Sequence, residues 1–300
     1  MRVERRARAR SKFETARRVP RAPRVAVSFF LALACLSAFE PARAAQGDLT
    51  PQQQEIKVLT ARLSSVDAEE RREAVTRLGA LRRPEASRAA AAALGDAAAI
   101  VRATAARAVL SLPPGEAATL VVPLLRDRDE FVRREAAYAL GVTRSAAGVP
   151  ALAAALETDK QASVRGAAAV ALGQIGDAAA APALAGALSR RLRATGFFNR
   201  LRRRKVEEDE FVRRSAAVSL GLIGSRDAVA VLVETLSDER APQDVRREAA
   251  RALGLIGDPA AAPALRNLLT HRDPYLSRIA FEALKKLDPS NAARPAGGGI

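Results

Sequence analysis

Tryptophan is absent from this 300-residue chain, and cysteine, histidine and methionine occur once each. A single cysteine excludes a disulfide within the chain. One cysteine and one histidine also exclude a Cys/His zinc site, which needs four clustered ligands. His271 alone cannot form a two-histidine metal site, and it reads as a solvent-side turn residue. Aromatic residues make up 4% of the chain although hydrophobic ones make up 49%. Alanine and leucine therefore supply the apolar surface, which favours closely packed helices. No G-x-S-x-G, P-loop or H-E-x-x-H pattern is present, so no catalytic residue, cofactor or metal is assigned. Glycine pairs such as Gly173 and Gly176 in "GQIG" read as helix ends, not as phosphate loops.

The net charge of +16 is local rather than spread. Residues 1–44 hold eleven basic and three acidic residues, and Ser189–Glu210 holds eight basic and four acidic. These stretches carry +8 and +4, which leaves +4 for everything else. The high pI alone is thus no argument for nucleic acid. Arginine outnumbers lysine 43 to 6, as in a GC-rich bacterial genome.

"VAVSFFLALACLSAF" (Val25–Phe39) follows a basic stretch, and Ala42-Arg43-Ala44 fits the small-x-small cleavage rule. The run is shorter than the roughly 20 residues of a membrane span. Residues 1–44 are therefore expected to be a secretory signal peptide, with the mature protein starting at Ala45 in the periplasm or medium. "ALAC" ending at Cys35 keeps lipid anchoring open as a second reading, and an uncleaved anchor as a third.

One pattern, V-R-x-x-A-A-x-A-L-G, recurs from Val101, Val132, Val164, Val212 and Val245, with degenerate copies from Glu70 and Leu276. The steps are 31, 31, 32, 48, 33 and 31 residues. Each unit reads as two helices. In the last, Asp258 caps the first helix, Pro259 sits in its opening turn, and Leu276, Ala280, Ala283, Leu284 and Leu287 face inward on the second. Ile56, Leu59 and Leu63 mark one side of the first helix of unit one. Gly141, Gly173, Gly221 and Gly254 are expected to end or interrupt the second helices as left-handed caps. A two-helix unit this short cannot bury its own apolar face, but stacked units can. The expectation is an all-α fold, an α-solenoid of about seven two-helix repeats over residues 45–287, with a disordered Pro/Gly-rich tail at 288–300.

"VRREAARALGLIGDPAAAPAL" (Val245–Leu265) and "VRGAAAVALGQIGDAAAAPAL" (Val164–Leu184) resemble the HEAT-like repeat family, in the short form also found in phycobilisome lyases. The resemblance runs from Thr50 to about Leu287; it is specific for fold and poorly specific for activity. It implies that Arg102, Arg133, Arg165, Arg213 and Arg246 form a structural ladder with aspartates upstream in the preceding turns, namely Asp96, Asp129, Asp159, Asp209 and Asp244. The terminal units depart from the pattern, with Ser277 in the arginine slot and Glu70 in the valine slot, as suits polar end caps.

The second helices of such arrays line the concave face. The third and seventh letters of the pattern lie four apart and away from the core positions. They place Arg107, Arg134, Tyr138, Val170, Arg214, Val218, Arg247 and Arg251 as candidate partner-binding residues, with an apolar centre and a basic rim. The alternative is that these are scattered exposed residues or are covered by neighbouring helices. The long step contains a basic insertion at about 189–208, placed in the turn between the two helices of unit five. Phe197 and Phe198 stand there beside Arg200, Arg202, Arg203, Arg204 and Lys205, and "EEDE" (Glu207–Glu210) follows. Three readings stay open: a loop whose charges partly neutralise each other, a dock for an acidic protein or anionic lipid, and a nucleic-acid contact. Deleting Arg193–Lys205 is expected to leave folding intact.

The expected function is a protein-interaction scaffold or adaptor, monomeric and not an enzyme, with a protein partner and with anionic lipid as a second class. The alternatives are a bilin-lyase-like enzyme or accessory, or a nucleic-acid-binding repeat protein if the chain is not exported. Nucleic acid is disfavoured because export removes most of it from reach. Nothing in the chain matches the His-Glu iron ligands of deoxyhypusine hydroxylase, a relative of the same repeat class.

Overall fold

The computed structural model describes residues 49–189, 191–193 and 205–287. The expected signal peptide, the tail and the Phe197–Arg204 part of the insertion lie outside them. No described helix is long and apolar enough to cross a membrane.

Alanine-rich sequence broken by Asp, Pro and Gly at fixed intervals gives helices in pairs. The first three pairs are α1 (Pro51–Arg62) with α2 (Ala68–Ala80), α3 (Pro84–Ala90) with α4 (Ala99–Ala108), and α5 (Pro114–Val121) with α6 (Glu130–Thr143). Then come α7 (Val149–Thr158) with α8 (Ala162–Ile175) and α9 (Ala181–Ser189) with α10 (Glu210–Ile223). The array ends with α11 (Val229–Ser237) and α12 (Gln243–Ile256), then α13 (Ala262–Arg266) and α14 (Pro274–Leu287). Asp67, Asp129 and Asp209 cap α2, α6 and α10 by accepting from the backbone N–H two residues on. Asp258 accepts from the Ala260 N–H ahead of Pro259, as the sequence predicts. Among the described residues the chain is all-α apart from one short hairpin.

From α7 onward the odd-numbered helices send leucines inward (Leu152, Leu156, Leu184, Leu188, Leu232 and Leu236 among them) against Leu140, Leu172, Leu220 and Leu253 of the even-numbered row, while α3 and α5 bury alanines and a valine instead. Successive even-numbered helices pack directly along their length, whereas odd-numbered ones touch each other sparingly. An α-solenoid of seven units results.

That close approach has a local cause, and it corrects one expectation. Gly141, Gly173, Gly221 and Gly254 neither end nor interrupt helices. They are buried inside α6, α8, α10 and α12. A β-carbon on Gly221 would lie 2.8 Å from Ala252 Cα, and one on Gly254 would lie 2.8 Å from Ala283 Cβ. Gly141 faces Ala171, and Gly173 faces Ser219, in the same way. Each glycine is a notch for the small eighth-position residue of the next unit. The left-handed caps come three residues later, at Arg144, Gly176, Gly224 and Gly257.

The arginine ladder is present, but its carboxylates come from the following unit, not from the preceding turn. Arg102 forks onto Asp127 at 2.7 Å through both Nε and Nη2, while its Nη1 donates to the Asp96 and Ala97 carbonyls at 2.8 and 3.0 Å. Arg71 reaches Asp96 and Arg133 reaches Asp159 in the same way. Each arginine thus satisfies the turn behind it and grips the turn ahead. Asp129 and Asp209 are helix caps instead, and Asp244 pairs within its own helix to Arg247.

Past unit four the ladder changes. Arg165 takes Glu208, at 2.9 and 2.5 Å, in a fully covered pair. Arg213 pairs with Glu207 from just upstream, and its Nε is buried without a partner. Arg246 donates to the Leu236 carbonyl at 2.9 Å, not to Asp244. Arg247, the next residue, takes the forward carboxylate, Asp273. The reason is turn length. Asp96, Asp127 and Asp159 each stand six residues before the arginine of their own unit, whereas Asp238 stands eight before Arg246. No hydrogen bond joins Asp238 to Arg213 among the described residues; it caps Arg240 instead. The last unit has no arginine in the slot, and Ser277 Oγ donates to Leu269 O at 2.5 Å.

The insertion lies between α9 and α10, in the turn where the sequence places it. Its base is an antiparallel pair, β1 (Arg191–Arg193) and β2 (Lys205–Glu207), with Leu192 opposite Val206. Glu207 and Glu208 are ladder carboxylates and Asp209 is a cap.

Candidate partner-binding face

Because the even-numbered helices expose one stripe each, residues spaced by three and four share a surface. Arg107 of α4 is exposed, and its only acidic neighbour among the described ion pairs is Glu135 of α6, at 3.9 Å. Arg134 lies 3.7 Å from the same carboxylate and stacks over Phe131, 5.3 Å from the ring centre. Tyr138 and Val170 are half-buried, and Tyr138 packs on the core. Val218 is 38% exposed. Arg214 stacks over Phe211 at 5.9 Å, and no ion pair holds it among the described residues. Arg251 is exposed and tied to Glu248 at 2.5 Å. Arg247 departs from its predicted role: Asp273, Asp244 and the Tyr275 ring occupy it, which makes it a ladder residue. Lys205 belongs to β2, and the other candidate loop residues lie outside the described chain.

The structure adds residues that the pattern's third and seventh letters miss. Ile100, Phe131, Phe211 and Tyr275 stand one position before the repeat valine or its equivalent, and all are exposed. Val142, Leu222 and Leu255 are exposed near the ends of their helices. The signal was available in the duplicated "DEFVRR", whose phenylalanine precedes the valine and lies three residues before the arginine that covers it. In unit four the same stripe carries Ser163 and Gly166 in place of an aromatic and an arginine. Phe211 of the next unit fills that gap; a β-carbon on Gly166 would lie 2.2 Å from its ring. Between α2, α4 and α6 the face sinks into a groove of about 430 Å³, lined by Ile100, Ala103, Phe131 and Arg107 over Gly79 and Ala108.

Two ladder aspartates, Asp96 and Asp127, are held charged. Asp96 titrates below the usual carboxylate range, chiefly through the hydrogen bond from Arg71. Burial pushes Asp127 up, but the Arg102 hydrogen bond and the Asp129 N–H outweigh it and leave Asp127 lowered. Arg102 and Arg133 are raised by their hydrogen bonds to Asp127 and Asp159. No group of His, Cys, Asp or Glu among the described residues could hold a metal ion. His271 Nδ1 accepts from the Asp273 N–H at 3.0 Å, which is a turn contact.

The chain belongs to the HEAT repeat family. The family profile described as HEAT repeats matches residues 56–141, 118–195 and 238–296, and the PBS lyase HEAT-like repeat profile matches 212–238. No curated protein matches it. Among solved structures it is similar to YibA of E. coli, at 21% identity and a TM-score of 0.55, covering 79% of this chain and 82% of that one. It is also similar to an engineered protein, at 24% identity and a TM-score of 0.50, over 78% and 68% of the two chains. The complex of CpcE and CpcF of phycocyanin lyase from Nostoc sp. PCC7120 is similar at 26% identity and a TM-score of 0.45, over 80% and 89%. At these identities the likeness is one of fold.

Proposed function

We propose that this chain is a protein-interaction scaffold that holds its partner on the face of the even-numbered helices. One observation supports the reading: Ile100, Phe131, Phe211 and Tyr275 stay exposed there in the same register in units two, three, five and seven, two of them beside stacked arginines of their own helices. An apolar strip with a charged rim is the composition of a docking surface. The role is non-enzymatic, and the chain acts after export, with the N-terminal 44 residues as its signal. Anionic lipid at the basic insertion is a secondary contact. Mass spectrometry of the mature N-terminus tests export; a start at Ala45 is expected, and an intact Met1 in soluble cytoplasm would overturn it.

Photo-crosslinking in the source cell tests the docking face. A benzophenone residue at Val218 is expected to trap a defined partner, and one at Glu157, exposed on α7, is not. Tyr138→Ala combined with Val170→Asp is expected to abolish the crosslink. The reverse pattern, or a crosslink indifferent to the double substitution, would sink the reading.

A further inference from the structure

Resting on that docking reading, we infer that the occupant is an extended protein segment with carboxylates at its two ends and apolar side chains between them, laid across α4, α6, α8 and α10. Arg214 carries the argument. Its guanidinium lies over Phe211, 5.9 Å from the ring centre, and no ion pair holds it among the described residues, so its fork of donors is open to a carboxylate. At the other end, Arg107 and Arg134 share the single carboxylate of Glu135, at 3.9 and 3.7 Å, which leaves an uncompensated positive charge. Between them α8 offers no charge on this stripe. Its residues there are Ser163, Gly166, Val170 and Gln174.

The surface is therefore basic at both ends, with the uncharged α8 stripe and Val170 between them. Neighbouring helix axes lie about 8–10 Å apart, so the three steps from α4 to α10 span about 27 Å. An extended chain rising about 3.3 Å per residue covers that in about eight residues. The groove at Ile100 and Phe131 has room for one large apolar side chain near the Arg107 end. A phosphodiester chain would meet the arginines but leave Val170 and Val218 without an apolar complement.

The test is fluorescence anisotropy on the full chain with four labelled probes. These are a ten-residue peptide with Glu at positions 1 and 9 and Leu at 3, 5 and 7, its Gln counterpart, its Lys counterpart, and a ten-nucleotide oligothymidine. The Glu peptide is expected to bind at least tenfold more tightly than the Gln peptide, and the Lys peptide not at all. Arg214→Glu and Arg107→Glu are each expected to cost at least tenfold without shifting the thermal melt, and Arg214→Gln less than Arg214→Glu. Equal binding of the Glu and Gln peptides, lost in Val170→Asp, would keep the docking face and overturn the acidic partner. Binding unchanged in both charge reversals would overturn the site. Tighter binding of oligothymidine would make the face a polyanion surface. No binding of any peptide at millimolar concentration would overturn this inference, while the crosslinking experiment judges the docking reading separately.

Discussion

A buried guanidinium is worth what its partners make of it, and two arginines in the same repeat slot show both outcomes. Arg102 has a carboxylate ahead and two carbonyls behind, whereas Arg213 has one carboxylate and an orphaned Nε. Removing one member of a satisfied buried pair costs about 3 kcal/mol, while an apolar replacement for a poorly satisfied one is near neutral. In chemical denaturation Arg102→Met should lose about that much, and Arg213→Met under about 1 kcal/mol. Equal losses would show that the orphaned nitrogen carries no penalty. The depressed carboxyls Asp96, Asp127 and Asp273 set the acid limb of stability. Their folded pKa values lie below the unfolded ones, so their contribution is complete above about pH 4 and is lost as pH falls through the folded values. Denaturant midpoints measured from pH 5 down to pH 2 should fall steeply, and Asp127→Asn should flatten that fall. A variant losing as much stability as the parent over this range would remove Asp127 from the account.

At the scale of the helix, the same residue type does opposite work in different places. Gly221 is a notch against Ala252, so Gly221→Ala should cost about 2 kcal/mol through overpacking, despite alanine's better helix propensity. Gly186 sits exposed in α9 with nothing within 4 Å of an added β-carbon, and Gly186→Ala should gain about 0.5–1 kcal/mol. Thermal melts of the two variants moving in the same direction would contradict the packing account. Pairs of helices, the Asp258 cap and the inward leucines were legible because each unit repeats within about 31 residues. The notches were not, because the local rule for glycine near a helix end names a cap, and only the neighbouring helix shows otherwise. Nor was the hairpin stem, whose three-residue strands are too short to show alternation. That stem refines what a deletion should do. Replacing Ala194–Arg204 with an Asn-Gly turn should leave the melt unchanged, because Glu207 and Glu208 stay in place. Glu208→Gln should cost about 3 kcal/mol by uncovering Arg165. If the deletion destabilises and Glu208→Gln does not, the insertion and not the rung holds unit five to unit four.

Over the whole array, rungs run without a break from Arg71 to Glu208, then falter between units five and six, where the turn before Arg246 is two residues longer. A repeat stack opens where the interface between neighbours is weakest. Hydrogen exchange should therefore protect amides of α8 more strongly than those of α12, and equal protection would assign the boundary to packing alone. Which turn supplies each rung could not be read from the sequence, because the partners stand 25 to 43 residues apart and either neighbouring turn satisfied the pattern. The forward direction of the rung bears on how such a chain grows. Each repeat from two to four carries an arginine for its successor and a carboxylate for its predecessor. A duplicated repeat therefore arrives with both halves of the connection and joins the row wherever it lands. The insertion in unit five kept that rule when it lengthened the turn, because its far end delivers Glu208 to Arg165. Adding or removing one whole repeat among units two to four would leave the ladder closed, while an indel of one or two residues in a turn would leave an arginine stranded.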